Sequence, residues 1–382
     1  MPRFRIAAAL AAVGMMCAGH TAVAQEVSTS TSQAINDWST NLSSDPLEAT
    51  ATPVDEPFGG AVDDKQLEDS FHCTSPVPPT DAEKTVLLVH GVGFYGEATY
   101  GWNFEETLTD QGYDVCYIEQ PHSGRGDLTV AGQYVAEAVK LAHQRLNRPV
   151  SVIGHSAGPA ATMWGLRYDD EAAAKVDDFI SLAGALHGTT LVEPACRQLE
   201  ACPVIAWQMH PKSQFITALH AKPLPDNIDI TSIYSRSDYG IQPAAEATHV
   251  RGAAHIAAQD VCPKNLPGHL GLLADPAAHA LVEDALSNPG PADINRLPQD
   301  VCKNGITARV DKDDISTALN ALVEYVKALG EPRYISEPAL PEYARQDAPA
   351  GPTPPGEIAQ GSSMRIKGSA DSFAQASSDA LR

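Results

Sequence analysis

The chain has 382 residues, with 26 Lys and Arg set against 48 Asp and Glu, a formal charge of −22 at pH 7. Negative charge on that scale repels nucleic acid and anionic membrane surfaces, so neither is expected as an electrostatic partner. The length admits one large α/β core with appendages at its ends.

At the N-terminus, Arg3 and Arg5 precede an apolar run from Ile6 to about Met16, and Ala22-Val-Ala24 places small residues before Gln25. This layout predicts a signal peptide over residues 1–24 and a secreted chain; the run is too short to span a bilayer. Cys17 raises the alternative of a lipid-anchored protein retained at the cell envelope, although Gly14-Met-Met16 matches a lipidation signal poorly. Residues 25–70 are rich in Ser, Thr, Asp and Pro and predict a flexible leader.

A dense pattern of elements follows, expected to form one catalytic domain over residues 71–346. Thr85-Val-Leu-Leu-Val89 predicts a buried strand, Trp102 to Asp110 a helix, and Asp114 to Ile118 the next strand. Thr129 to Arg148 shows helical spacing. Further strands are expected near Val150–Ile153, Asp178–Leu186 and Asp229–Ser235, with a helix over Ala277–Leu286. Strands alternating with helices predict a mostly parallel central sheet covered on both faces. A late helix is expected over Asp314–Leu329, capped by Asp313 or Asp314 and ended by Gly330. Residues 347–382 turn to Pro, Gly, Ser and Ala and predict a disordered tail.

Beyond the signal stand six cysteines: Cys73, Cys116, Cys196, Cys202, Cys262 and Cys302. An even number in an exported chain implies disulfides, with fifteen pairings open. Sequential pairing is the expectation.

The chemistry centres on Val150-Ser-Val-Ile-Gly-His-Ser-Ala-Gly158. A bare Gly-x-Ser-x-Gly carries little weight in a chain with 28 glycines, but here it joins a buried strand to a helical run beginning at Pro159. That context places Ser156 on a sharp corner where Gly154 and Gly158 allow close packing, and it points to a nucleophilic serine. A serine hydroxyl needs a base, and the base needs a carboxylate to fix its tautomer. In a strand–turn–helix scaffold of this kind the partners follow in the order Ser, acid, His. Asp238 closes the strand ending at Ser235, and His269 lies in the glycine-flanked Pro267-Gly-His-Leu-Gly271; they are the candidate acid and base. His249 and His255 are rival bases in a segment with no clear pattern. Oxyanion donors are expected from the N–H groups of Ala157 and Val92, with Gly91 or Gly93 as substitutes for the latter. His155, inside the elbow, is expected to shape the floor of a substrate pocket.

Taken together, these residues resemble the secreted lipases of the Candida antarctica lipase B type and related bacterial triacylglycerol lipases. The resemblance runs from about Cys73 to Arg345. It rests on Leu87-Leu-Val-His-Gly-Val-Gly93, Gly112-Tyr-Asp-Val-Cys-Tyr-Ile118, the elbow with Trp164-Gly-Leu166, and Gly188-Thr189. It continues through Ile233-Tyr-Ser-Arg-Ser-Asp238, Gln242-Pro243, Ala258-Gln-Asp-Val-Cys262 and Tyr343-Ala-Arg345. It implies an α/β-hydrolase fold, the same acid and base, and disulfides Cys73–Cys116 and Cys262–Cys302. The chain departs from the fungal member at Val92, where that protein has Thr, at Ala157, where it has Gln, and at His155, where it has Trp.

Between Thr190 and Phe215 the alternating pattern breaks, and Val192, Val204, Ile205, Ala206, Trp207 and Phe215 suggest a small cap or lid. Trp207 is the candidate wall of an acyl pocket, with ordinary core packing the alternative. The expected activity is hydrolysis of carboxylic, lipid-type esters through an acyl-enzyme. The expected partners are the ester substrate and a transient lipid interface, with no obligate protein partner. No cofactor is called for, and no His or Cys spacing suggests a metal site. An acyltransferase or polyester depolymerase with the same triad, an amidase, and a non-catalytic surface protein on this scaffold remain as alternatives.

Overall fold

The computed structural model describes residues 47–48, 57–193, 196, 202–303 and 333–348. The expected signal peptide, most of the leader, the helix over 314–329 and the tail beyond residue 348 lie outside the described residues. The strands of the central sheet are β1 (Phe71–Cys73), β2 (Thr85–Val89), β3 (Asp114–Ile118), β4 (Val150–His155), β5 (Val176–Leu182), β6 (Asp229–Tyr234) and β7 (Ala254–Ala257). They form a seven-stranded sheet in the order β1-β3-β2-β4-β5-β6-β7. β1 runs antiparallel to β3, and every other pair is parallel. The helices that matter below are α1 (Asp64–Ser70), α2 (Phe104–Asp110), α3 (Leu128–Leu146), α4 (Gly158–Tyr168), α5 (Val204–Gln208), α6 (Gln214–Leu219) and α7 (Pro276–Ser287).

Successive strand residues point to opposite faces, and both faces are covered, which is why the strands read as continuous apolar runs. Leu87, Val89, Val150, Val152 and Phe179 pack in one core with α3 and α4. Their neighbours Val86, Leu88, Ile153 and Ile180 pack in a second core with α2 and α7. Helix α3 starts where Asp127 accepts from the Thr129 N–H at 2.8 Å, and it ends at left-handed Asn147 (φ 52°). A side chain from α5 supports that start: the Leu128 N–H donates to Gln208 Oε1 at 2.8 Å.

Three expectations about boundaries change. β5 stops at Leu182 rather than Leu186, because Ala183 takes a left-handed φ of 48° and turns the chain out of the sheet. Residues 57–70, expected in the leader, are folded. The Gly59 and Ala61 N–H groups donate to Gln133 Oε1 at 2.7 and 3.2 Å, and Asp63 caps α1 by accepting from the Gln66 N–H at 2.7 Å. At the other end, Asp347 and Ala348, expected in the tail, are also folded. The Tyr168 hydroxyl donates to Asp347 at 3.1 Å, and Ala348 is buried. The expected sequential disulfides are present: Cys73–Cys116, Cys196–Cys202 and Cys262–Cys302.

Candidate active site

Ser156 stands between the end of β4 and the start of α4 with φ 62°, left-handed for a residue that is not glycine. Such a conformation costs about 1–2 kcal/mol and persists where the surroundings hold it. Here the Ser156 N–H donates to the Leu182 carbonyl at 3.0 Å, and the Ser156 carbonyl accepts from the Ala185 N–H at 2.8 Å. The small residues of the elbow are required by crowding. A Cβ on Gly158 would overlap the Val89 carbonyl, and one on Gly91 would lie 2.6 Å from Ser156 Cβ.

The structure brings Ser156, His269 and Asp238 together. His269 Nε2 is 2.9 Å from Ser156 Oγ, and His269 Nδ1 is 2.9 Å from Asp238 Oδ2. The other oxygen of Asp238 accepts from the Gly240 and Ile241 N–H groups at 2.6 and 2.9 Å. With Nδ1–H donated to the carboxylate, the lone pair on Nε2 faces the serine hydroxyl. Burial pushes the Asp238 carboxyl up. The charge and hydrogen bond of His269, with the two N–H groups, outweigh it and leave the group below the usual carboxylate value. It therefore stays ionised beside the imidazole.

Ala157 lies at the N-terminus of α4, where backbone N–H groups lack partners within the helix. Of the donors considered in the first loop, Gly93 is already engaged, its N–H donating to the Ser123 carbonyl at 2.8 Å. Val92 and Gly91 remain. A network that sequence reasoning missed holds this loop. Fully buried His90 accepts the Gln120 N–H at Nε2 (3.0 Å), so its Nδ1–H donates to the Gly91 carbonyl (2.8 Å). The Gln120 side chain donates back to the His90 carbonyl. Behind it, His122, Ser123 and Gly124 are consecutively left-handed, with φ of 54°, 53° and 68°. The one clue available was position: His90 and Gln120 both follow the carboxyl ends of adjacent strands.

His155 and Trp207, expected to line a substrate pocket, are both buried with ring nitrogens paired to backbone carbonyls. His155 is 3% exposed, and its Nε2 lies 3.1 Å from the His269 carbonyl. Trp207 packs against Cys196 and Cys202, with its indole N–H donating to the Tyr334 carbonyl at 2.9 Å. The rival bases are engaged elsewhere. His255 pairs with Thr248 Oγ1 at 2.9 Å and stacks on Tyr234, while His249 meets His255 edge-on. Beside the Asp238 turn lies a cavity of about 460 Å³ lined in part by His187, Thr190, Gln242, Glu246 and His249. The Gln242 side chain on its wall donates to the Asp238 carbonyl. Among the described residues, no group of three or more His, Cys, Asp or Glu is placed to hold a metal ion.

No family model matches the chain. It is 26% identical over 284 residues to lipase B of Pseudozyma antarctica, covering 70% of this chain and 81% of that one. The crystal structure of Aspergillus fumigatus lipase B matches with a TM-score of 0.70 and 27% identity, covering 78% of this chain and 76% of that one. The chain has the α/β-hydrolase fold and is similar to lipase B, as the sequence resemblance implied.

Proposed function

We propose that the protein is an exported serine hydrolase of carboxylic esters, with lipid esters its substrate class. The observation that carries this reading is the unbroken series of hydrogen bonds from Ser156 through His269 to Asp238. In the proposed reaction Ser156 Oγ attacks the ester carbonyl carbon while His269 Nε2 takes the hydroxyl proton. The negative oxygen that forms is held by the N–H groups of Ala157 and Val92, each donor of this kind contributing roughly 3–4 kcal/mol. Collapse of the tetrahedral intermediate expels the alcohol, which leaves with the proton from His269. Water, deprotonated by the same imidazole, then attacks the acyl-enzyme, releasing the carboxylic acid and restoring Ser156. Asp238 stays ionised throughout and stabilises the imidazolium. Similarity to two lipases supports the ester class, and the three disulfides support an oxidising, extracytoplasmic setting. Among the described residues no helix is long and apolar enough to cross a membrane.

The test is turnover of p-nitrophenyl esters across acyl lengths, with the Ser156→Ala variant alongside. We expect the variant to lose at least ~10⁴-fold in kcat. Undiminished turnover would remove Ser156 from the chemistry, and a rate that falls steadily with acyl length would remove lipids as the substrate class.

A further inference from the structure

His269 is delivered by an irregular stretch. Residues 262–270 belong to no helix or strand. The backbone of such a segment is placed by its individual anchors. Upstream, the Cys262–Cys302 disulfide holds the start, and the Ser237 hydroxyl donates to the Pro267 carbonyl at 3.0 Å. At His269 itself, the main-chain anchor is a side chain from the sheet: His155 Nε2 stands 3.1 Å from the His269 carbonyl. A carbonyl oxygen only accepts, so Nε2 carries the proton and donates. The two imidazoles also touch, with ring centroids 4.8 Å apart.

Resting on the reading of Ser156 as nucleophile and His269 as base, we infer that His155 is a positioning residue. It ties the base's backbone to the strand end that presents the nucleophile. Residue 155 is the last of β4, paired in register with Leu182 of β5. The peptide that carries the attacking oxygen and the hydrogen bond that places its proton acceptor therefore spring from adjacent residues. Displacement of the loop is opposed at the point where it would lengthen the Ser156–His269 contact of 2.9 Å. The ring is suited to this duty. Burial, reinforced by the charge of His269, pushes His155 down to about 3, so it remains neutral when the neighbouring imidazole takes a proton. At 3% exposure it presents almost no surface to a substrate.

Two variants separate donor from filler. His155→Phe keeps a ring of similar size without the N–H, while His155→Gln keeps an N–H donor at about the reach of Nε2. We expect His155→Phe to lose about 10- to 100-fold in kcat with KM within about threefold, and His155→Gln to recover kcat to within about threefold of wild type. Thermal melting of both proteins checks that they are folded. Wild-type kcat in His155→Phe would overturn the inference, as would equal impairment of the two variants in proteins that melt like wild type. If His155→Phe does not fold, His155→Asn, whose amide is too short to reach the carbonyl, replaces it with the same expectation. Retained turnover in Ser156→Ala would instead sink the underlying assignment of the nucleophile, whatever the His155 series shows.

Discussion

At the scale of single residues, the two oxygens of Asp238 have separate duties. One is saturated by the Gly240 and Ile241 N–H groups, and the other faces His269 Nδ1. In Asp238→Asn the amide no longer attracts the imidazolium and favours the wrong tautomer. We expect kcat to fall by roughly 10⁴-fold with little change in KM. Steady-state kinetics on a p-nitrophenyl ester measure this, and a loss below tenfold would contradict the proposed role. Ser156 was legible because a corner that tight demands glycines at fixed offsets. Asp238 and His269 followed from chain order and their glycine-rich surroundings. The surroundings of His155 and Trp207 were not legible, because each is set by a partner more than a hundred residues away. For His155 it is the His269 carbonyl, and for Trp207 the Tyr334 carbonyl. A local pattern marks a histidine near the elbow; it does not say which way the ring turns.

At the scale of elements, β1 is a three-residue edge strand bonded to β3, and Cys73 lies directly opposite Cys116 in that pair. The cross-link closes a long loop at the sheet's margin, away from the elbow. Replacing both cysteines by Ala should lower unfolding stability by about 3–4 kcal/mol through the freer unfolded chain, while kcat is retained. Denaturant unfolding beside steady-state kinetics reads both, and a parallel loss of kcat would mean that the edge pair reaches the site. The buried strands were readable because apolar residues cover both faces. β7 was not: Ala254-His-Ile-Ala257 is short, only half buried and poor in branched residues, and it forms because β6 offers it an open edge. The end of β5 was misplaced for a related reason, since Ala183-Gly-Ala-Leu186 reads as apolar continuation while its backbone has already turned.

At the scale of the molecule, the segment 333–348 lies against the α3–α4–α6 side. Glu337 accepts from the Gln214 and Phe215 N–H groups at 2.9 and 3.0 Å, and the Trp164 indole donates to the Tyr343 hydroxyl at 3.2 Å. Burial pushes Glu337 up to about 7 against the pull of those two N–H groups, with Asp127 adding to the rise. A carboxyl that binds its proton more tightly folded than unfolded favours the fold at low pH. That contribution is complete below the ordinary value of 4.5 and is lost as pH rises to about 7. Glu337→Gln removes the titration. Relative to wild type, the variant should gain stability between pH 4.5 and pH 8, as urea unfolding at the two values would show. A difference that does not change with pH would rule out Glu337 as the titrating group. Residues 57–70 read as leader because they continue a stretch rich in Ser, Thr, Asp and Pro with no sustained period; their order comes from Gln133 and Tyr134 of α3 receiving the backbone.

The Phe58 and Tyr343 rings meet edge-on with centroids 5.4 Å apart, so segments 57–70 and 333–348 come together although nearly three hundred residues separate those two rings in sequence. A gene rewired to join those segments with a brief spacer, and reopened at a remote surface turn, would encode the same sheet under a new beginning and end. Such a permuted chain is expected to keep the cooperative unfolding of the original, which thermal melting checks.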